Sequence, residues 1–165
     1  SILASVRPMP EQSQAAVEPV DVKEVVETTL EQVRPLLRQH QPEVRIDVRR
    51  QAMADPPKLR QVLEHLIENA VKYAPPGTTI RIESELVEGV VRIAVTDEGP
   101  GIPPEWRERI FEPYARRDTH TARGSGIGLY AAKRLVESMD GRLWVEPAEP
   151  QGARFVVALP AAVAI

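Results

Sequence analysis

The sequence contains no cysteine, which removes disulfides, thiolate metal sites and cysteine nucleophiles together and leaves the chain indifferent to redox compartment. It carries no excess of positive charge either. Its 21 Lys and Arg against 24 Asp and Glu give a net charge of −3, so nothing electrostatic argues for nucleic acid or for direct contact with an anionic membrane. No apolar run approaches the roughly 18 residues of a membrane span, and the N-terminus does not read as a signal peptide. There is no internal repeat. The motif G-x-x-x-x-G-K-[ST] occurs nowhere, which excludes a P-loop.

What remains is the composition of an ordinary soluble domain. A chain of 165 residues, 42% apolar and 27% charged, is long enough to bury one core without staples. Its 16 prolines gather at Pro56-Pro57, Pro75-Pro76, Pro103-Pro104 and Pro147 to Pro150; they punctuate elements rather than signal disorder. The opening "SILASVRPMPEQSQAAVEPVD" lacks periodicity and reads as a piece cut from a longer protein. Residues 1–19 are therefore expected to be linker and residues 20–162 the domain.

Asp21 is placed to cap a helix in which Val22, Val25, Val26, Thr29, Leu30 and Val33 follow helical spacing, with Pro35 expected to kink its end. "VRIDVRR" (44–50) alternates as a strand does. A second helix is expected from Pro56 to Tyr73, proline being suited to the first turn, with Leu59, Val62, Leu63, Leu66, Ile67 and Ala70 as its core stripe. Two alternating strands joined at Glu88-Gly89 form a predicted hairpin. "PPEWRERIF" (103–111) reads as a short helix. A third helix begins near Gly126, with Ala132, Leu135, Val136 and Met139 on one side, and "GRLWVEP" and "ARFVVALP" read as final strands. This order suits an α+β two-layer arrangement, a mixed sheet with helices on one face, rather than a doubly wound parallel sheet.

Four polar or glycine-rich stretches interrupt that scaffold. His65, Asn69 and Lys72, at i, i+4 and i+7, form a second stripe along the edge of helix two. An amide oxygen suits a hard cation such as Mg²⁺ and an ammonium suits phosphate, although a solvated flank has the same composition. In "TDEGPGIPP" (96–104) an aspartate at a strand end is followed by two glycines. Asp97 is positioned to accept from an exocyclic amine and the glycines to bring backbone close to a ligand; an ordinary turn reads the same way. "RGSGIGLYAAKRL" (123–135) places Gly124, Gly126 and Gly128 where a loop becomes a helix, and bare N–H groups there favour phosphate. The spacing is not that of the Rossmann fingerprint. "IFEPYARR" (110–117) leads into a polar segment, Arg116 to Arg123, that fits either a lid carrying positive charge or a simple solvated loop.

In this order and at this spacing, "LRQVLEHLIENAVKYAPPG", "VTDEGPGIPPE", "IFEPYAR" and "GSGIGLYAAKRLVESMDGRLWVE" resemble the N, G1, F and G2 boxes of the sensor histidine kinase ATP-binding domain. That domain shares the Bergerat fold with gyrase, Hsp90 and MutL. The ending "GARFVVALP" is similar to the last strand of such kinases. The resemblance implies a two-layer α/β sandwich, a mainly antiparallel sheet with three main helices on one face, and a mobile ATP lid. It implies ATP and Mg²⁺ as ligands, with Asn69 on the metal and Lys72 and Tyr73 beside phosphate and ribose. Asp97 would meet the adenine amine while Gly99, Gly101 and Ile102 lie along the base. Arg116 would reach the γ-phosphate. Tyr114, Gly124, Ser125, Gly126, Ile127, Gly128 and Leu129 would complete the nucleotide contacts. Asn69, Lys72, Arg116 and His65 are the candidate catalytic set.

Two departures stand out. Position 65, usually asparagine in these kinases, is His65, which is open to a water-mediated metal contact, to weak base chemistry or to simple tolerance. None of His40, His65 and His120 begins a His-Glu or His-Asp phosphoacceptor motif. The resemblance therefore implies a catalytic half that transfers phosphate to a histidine on an upstream dimerisation domain and, beyond it, to a response regulator. Such a domain faces the cytoplasm. A nucleotide-sensing or docking module of the same fold is the alternative. A stand-alone hydrolase of the gyrase type is disfavoured, since it would carry glutamate at position 65.

Overall fold

The structure is a computed structural model that describes residues 15–46, 51–114 and 127–163. Helix α1 (Val22–Val33) starts where Asp21, in extended conformation, accepts the main-chain N–H groups of Lys23 and Glu24 at 3.0 and 3.3 Å. Val22, Val25, Val26, Thr29 and Val33 are buried as the periodicity predicts, whereas Leu30 is half-buried. Pro35 does not kink the helix: α1 ends, and Arg34–Leu37 winds on as a 3₁₀ turn. Proline has no N–H for the α-helical bond and its ring crowds the preceding turn, so the tighter winding takes over.

Helix α2 (Pro56–Tyr73) carries both prolines in its first turn and is capped by Asp55, whose carboxylate accepts from Lys58 N at 3.3 Å. Its buried residues are Leu59, Val62, Leu63, Leu66, Ile67 and Ala70, the stripe expected from sequence. Each such Leu or Ile contributes about 1.5–3 kcal/mol by leaving water. Turning the helix to bring Asn69 inward would lose several of these terms, so the polar edge is held at the rim of the core. Helix α3 (Gly128–Ser138) buries Ala132, Leu135 and Val136, with Met139 just beyond it.

Strands β4 (Thr79–Val87) and β5 (Val90–Thr96) form the predicted hairpin. Glu88 and Gly89 both have positive φ, 49° and 79°, as a tight two-residue turn requires. With β2 (Gln41–Arg45), β6 (Arg142–Pro147) and β7 (Ala153–Pro160) they make a five-stranded sheet in the order β2-β4-β5-β7-β6. β2 is parallel to β4 and the other pairs are antiparallel. α2 packs on β4 and β5, α3 on β6, and α1 on α2. The sheet's other face is polar: Arg154 bridges Glu83 and Glu146, and Arg92 and Arg142 each lie over the Trp144 ring. This is the expected α+β two-layer sandwich.

Three local expectations differ. The strand expected at 44–50 runs instead from Gln41 to Arg45, with 47–50 outside the described residues. Its start is set by long-range bonds, Gln41 N to Thr78 O at 3.0 Å and Gly77 N to Gln39 O, not by alternation. A small antiparallel pair, β1 (Glu18–Val20) with β3 (Ala52–Ala54), has no counterpart in the sequence reading, and it uses Glu18 and Pro19 from the stretch read as linker. Residues 1–14 fall outside the described residues. The short helix expected at 103–111 is two 3₁₀ turns, Pro104–Trp106 and Arg109–Phe111. The second turn drops Ile110 and Phe111 into the core, where Phe111 meets Phe155 edge to face at 6.1 Å. The expected lid, Arg116 to Arg123, also lies outside the described residues.

Candidate functional site

The site draws on residues of β5, α2 and α3 and of the loops that flank them. Asp97 follows the last residue of β5 and is only 3% exposed. A buried carboxylate is costly unless hydrogen-bonded, and this one is tied to the main chain. Its Oδ1 accepts from Gly99 N at 2.8 Å and from Ala153 N at 3.4 Å, while its own N–H donates to Ala153 O at 3.0 Å. These two amides orient the carboxyl group.

The loop after Asp97 is clamped on both sides. A Cβ on Gly99 would lie 3.0 Å from Tyr73 O and 3.0 Å from Asp97 Oδ1, so glycine lets the loop rest on the C-terminal turn of α2. On the other side, a Cβ on Gly152 would fall 1.9 Å from Asp97 O, at a φ of +112°. Only glycine fits there. Gln151 Nε2 donates to Glu98 O at 3.0 Å, adding the β6–β7 turn to the clamp.

Along α2, His65, Asn69 and Tyr73 are half-buried and Lys72 is exposed, its ammonium 5.5 Å from the Tyr73 ring centre. His65 faces the start of α3: its Nδ1 lies 3.4 Å from where a Cβ on Gly128 would sit. Ile127, at the N-cap of α3, supplies no side-chain hydrogen bond to the first turn. Among the described residues no side chain caps the first N–H groups of α3, and a helix start of this kind favours an anion. Among the described residues no group of three or more His, Cys, Asp or Glu forms a metal cluster. A cation here would rest on an amide oxygen and on its own anionic ligand, for which Asn69 on the α2 rim has suitable chemistry.

The histidine kinase-, DNA gyrase B-, and HSP90-like ATPase family matches residues 54–163. The chain belongs to that family. An ATP-binding domain is what the family shares, and the clamped Asp97 loop and uncapped α3 lie within the matched span. The adaptive-response sensory kinase SasA of Trichormus variabilis is 42% identical over 109 residues, covering 65% of this chain and 27% of SasA. The signal transduction histidine-protein kinase/phosphatase MprB of Mycolicibacterium paratuberculosis is 36% identical over 150 residues, covering 87% of this chain and 28% of MprB. The chain therefore spans little more than a quarter of these curated relatives. Among solved structures, a mycobacterial sensor histidine kinase MprB superposes with a TM-score of 0.80 at 32% identity, over 90% of this chain and all of that one. ShkA in complex with AMPPNP gives 0.80 at 30% identity, over 92% of this chain and 32% of ShkA.

Within this family framework the structure brings Tyr73, Asp97 and Gly99 together, and separately His65 and Gly128. Gly101 turns with a φ of +79°, and Ile102 and Leu129 pack against the core. Tyr114 stands 69% exposed and Ile127 is 36% exposed. Arg116, Gly124, Ser125 and Gly126 lie outside the described residues. Sequence reasoning missed Gln151, Gly152 and Ala153, which hold the Asp97 loop. The signal was a Gln-Gly-Ala run opening the last strand, and alone it names no partner.

Proposed function

We propose that the chain is the nucleotide-binding catalytic domain of a two-component sensor histidine kinase, which binds Mg-ATP and presents the γ-phosphate to a histidine on a separate dimerisation domain of the same protein. The observation that carries this reading is the buried Asp97, its Oδ1 held by Gly99 N and Ala153 N beside the backbone of the glycine-bearing loop. It is supported by relatives that are named as kinases and by the AMPPNP complex of ShkA.

The roles divide by element. Asp97 accepts from the adenine amine, and Gly99, Gly101 and Ile102 form the surface along the base. Tyr73 and Lys72 line the ribose and phosphates. Gly124, Ser125, Gly126, Ile127, Gly128 and Leu129 contact the nucleotide, the first amides of α3 receive phosphate oxygens, and Arg116 adds charge at the γ-phosphate. Asn69 offers its amide oxygen to Mg²⁺, which when bound neutralises charge on the transferring phosphate. The nucleophile is an imidazole outside this domain, so these residues supply positioning and electrostatic stabilisation. The phosphate passes on to a response regulator. Among the described residues no helix is long and apolar enough to cross a membrane; we place the domain in the cytoplasm, where ATP is, as part of a parent that other segments anchor or leave free. Residues 1–19 are proposed to lead in from the dimerisation domain.

The test joins this chain to a histidine-bearing dimerisation domain and follows acid-labile phosphorylation with Mg-ATP. Asn69→Ala is expected to abolish labelling while the thermal unfolding profile stays unchanged, since Asn69 lies outside the buried stripe. Full labelling by a folded Asn69→Ala protein overturns its role, and no labelling by the wild-type protein overturns the reaction.

A further inference from the structure

Asp55 does more than cap α2. A helix N-cap needs one acceptor, which a serine or threonine hydroxyl supplies. Asp55 has two oxygens, and only Oδ1 serves the helix, taking Lys58 N at 3.3 Å. Oδ2 instead accepts the N–H of Ala16 at 2.9 Å, the shorter of the two bonds. The residue is 8% exposed, where a carboxylate without hydrogen bonds would be costly, and its own N–H meets Met139 Sδ at 3.3 Å. Asp55 thus joins three pieces of chain: the segment that enters the domain, the start of α2 and the end of α3. Because His65 of α2 also faces Gly128 at the start of α3, the two helices run antiparallel. The 18 residues of α2 set Tyr73 about 27 Å along the axis from Asp55.

Little else holds the entering segment. Ala16, Val17, Glu18 and Pro19 are exposed; its apolar anchors are the buried Val20 and the partly buried Ala15. β1 pairs with β3 over three residues only, and so short a pair with so little burial opens easily on its own. The Asp55–Ala16 bond closes its outer end.

We propose that Asp55 is a positioning residue for phosphotransfer: by fastening Ala16 it fixes where the tether to the phosphoacceptor domain leaves this one. This rests on the kinase reading above and adds to it a residue outside the nucleotide site. A fastened tether departs at residue 15, beside the start of α2 and the end of α3, whereas a released one departs at Asp21, where α1 begins. Release frees residues 15–20, lengthens the tether and loosens its direction, which lowers the effective concentration of the acceptor histidine at the γ-phosphate. Nucleotide binding is untouched, since the bond lies at the far end of α2 from Tyr73.

Two variants break the bond from opposite sides. Asp55→Asn keeps a carbonyl oxygen for the α2 cap and turns its NH₂ against the Ala16 N–H, donor to donor; Ala16→Pro removes that N–H and leaves the cap alone. In the chain itself, both are expected to bind AMPPNP with Mg²⁺ as wild type does. Amide hydrogen exchange across residues 15–20 should quicken by about tenfold or more, as an unmet buried donor implies. Phosphotransfer is then followed with a histidine-bearing dimerisation domain, either joined ahead of residue 1 or added as a separate protein. In the joined protein both variants should lose about threefold or more in rate at saturating ATP, with KM for ATP unchanged, and the double variant should lose little more than either. With the separate acceptor both should match wild type. Equal losses in the two arrangements, or unchanged exchange or unchanged joined transfer in both variants, overturn the proposal. No transfer by wild-type protein in either arrangement overturns the kinase reading and the positioning role with it, while the exchange rates still decide whether Asp55 fastens the segment; wild-type transfer with both variants indifferent overturns the positioning role alone.

Discussion

Asp97→Asn separates recognition of the base from stability of the fold. The carboxylate takes Gly99 N at 2.8 Å and Ala153 N at 3.4 Å on one oxygen, Oδ1. Asparagine can place its carbonyl oxygen there and keep both bonds, which lose only their charge assistance, so stability should fall by about 1 kcal/mol. Its amide NH₂ then replaces the second carboxylate oxygen and confronts the adenine amine donor to donor. At a position 3% exposed, water cannot rescue the pair, and an unmet buried donor costs about 1–3 kcal/mol. That corresponds to a loss of about 5- to 150-fold in ATP affinity. Inosine triphosphate, which presents a carbonyl where adenine has its amine, makes the argument sharper. Wild type should prefer ATP over inosine triphosphate, and Asp97→Asn should abolish or reverse that preference because its NH₂ can donate to the carbonyl. Calorimetric titration of both proteins with non-hydrolysable analogues of both nucleotides measures the ratio directly. The same ratio in wild type and variant, with both folded, would refute the placement of the base on Asp97.

Two further perturbations probe the supports of the site. Gly152→Ala drives a Cβ to 1.9 Å from Asp97 O at a φ of +112°; the strain is at least about 1–3 kcal/mol, and nucleotide affinity should fall with it because the Asp97 loop must move. An unchanged denaturation midpoint would show that the β6–β7 turn does not clamp this loop. Asp55→Ala removes the α2 cap, which accepts from Lys58 N at 3.3 Å and from Ala16 N at 2.9 Å. A loss of about 1–2 kcal/mol is expected, read by urea unfolding, with little change in nucleotide affinity since the cap lies at the other end of α2 from Tyr73.

Much of the scaffold was legible because it is written in local periodicity. The α2 stripe from Leu59 to Ala70 was read residue for residue, and the hairpin followed from Glu88-Gly89 between alternating runs. The failures share a cause. β1 and β3 are three residues each, too short for any period to register. β2 is an edge strand of largely exposed residues, so its limits come from bonds to the loop before β4 rather than from a buried face. The 3₁₀ turns at 104–106 and 109–111 replace a helix because Ile110 and Phe111 must reach Phe155 and α3.

By itself the sequence determined which residue types are available to the site and on which elements they ride. The helical period places His65, Asn69 and Lys72 on one rim of α2, and the strand-to-glycine run delivers Asp97 at the end of β5. The tertiary structure decided how those residues are held. Asp97 is oriented by Ala153, 56 residues away along the chain, its loop is closed by Gly152 and Gln151, and His65 is set against Gly128. Contacts of that kind depend on how the sheet and helices pack around the core. A local pattern reports which face of an element is apolar; it carries no record of which distant backbone will lie against the polar one.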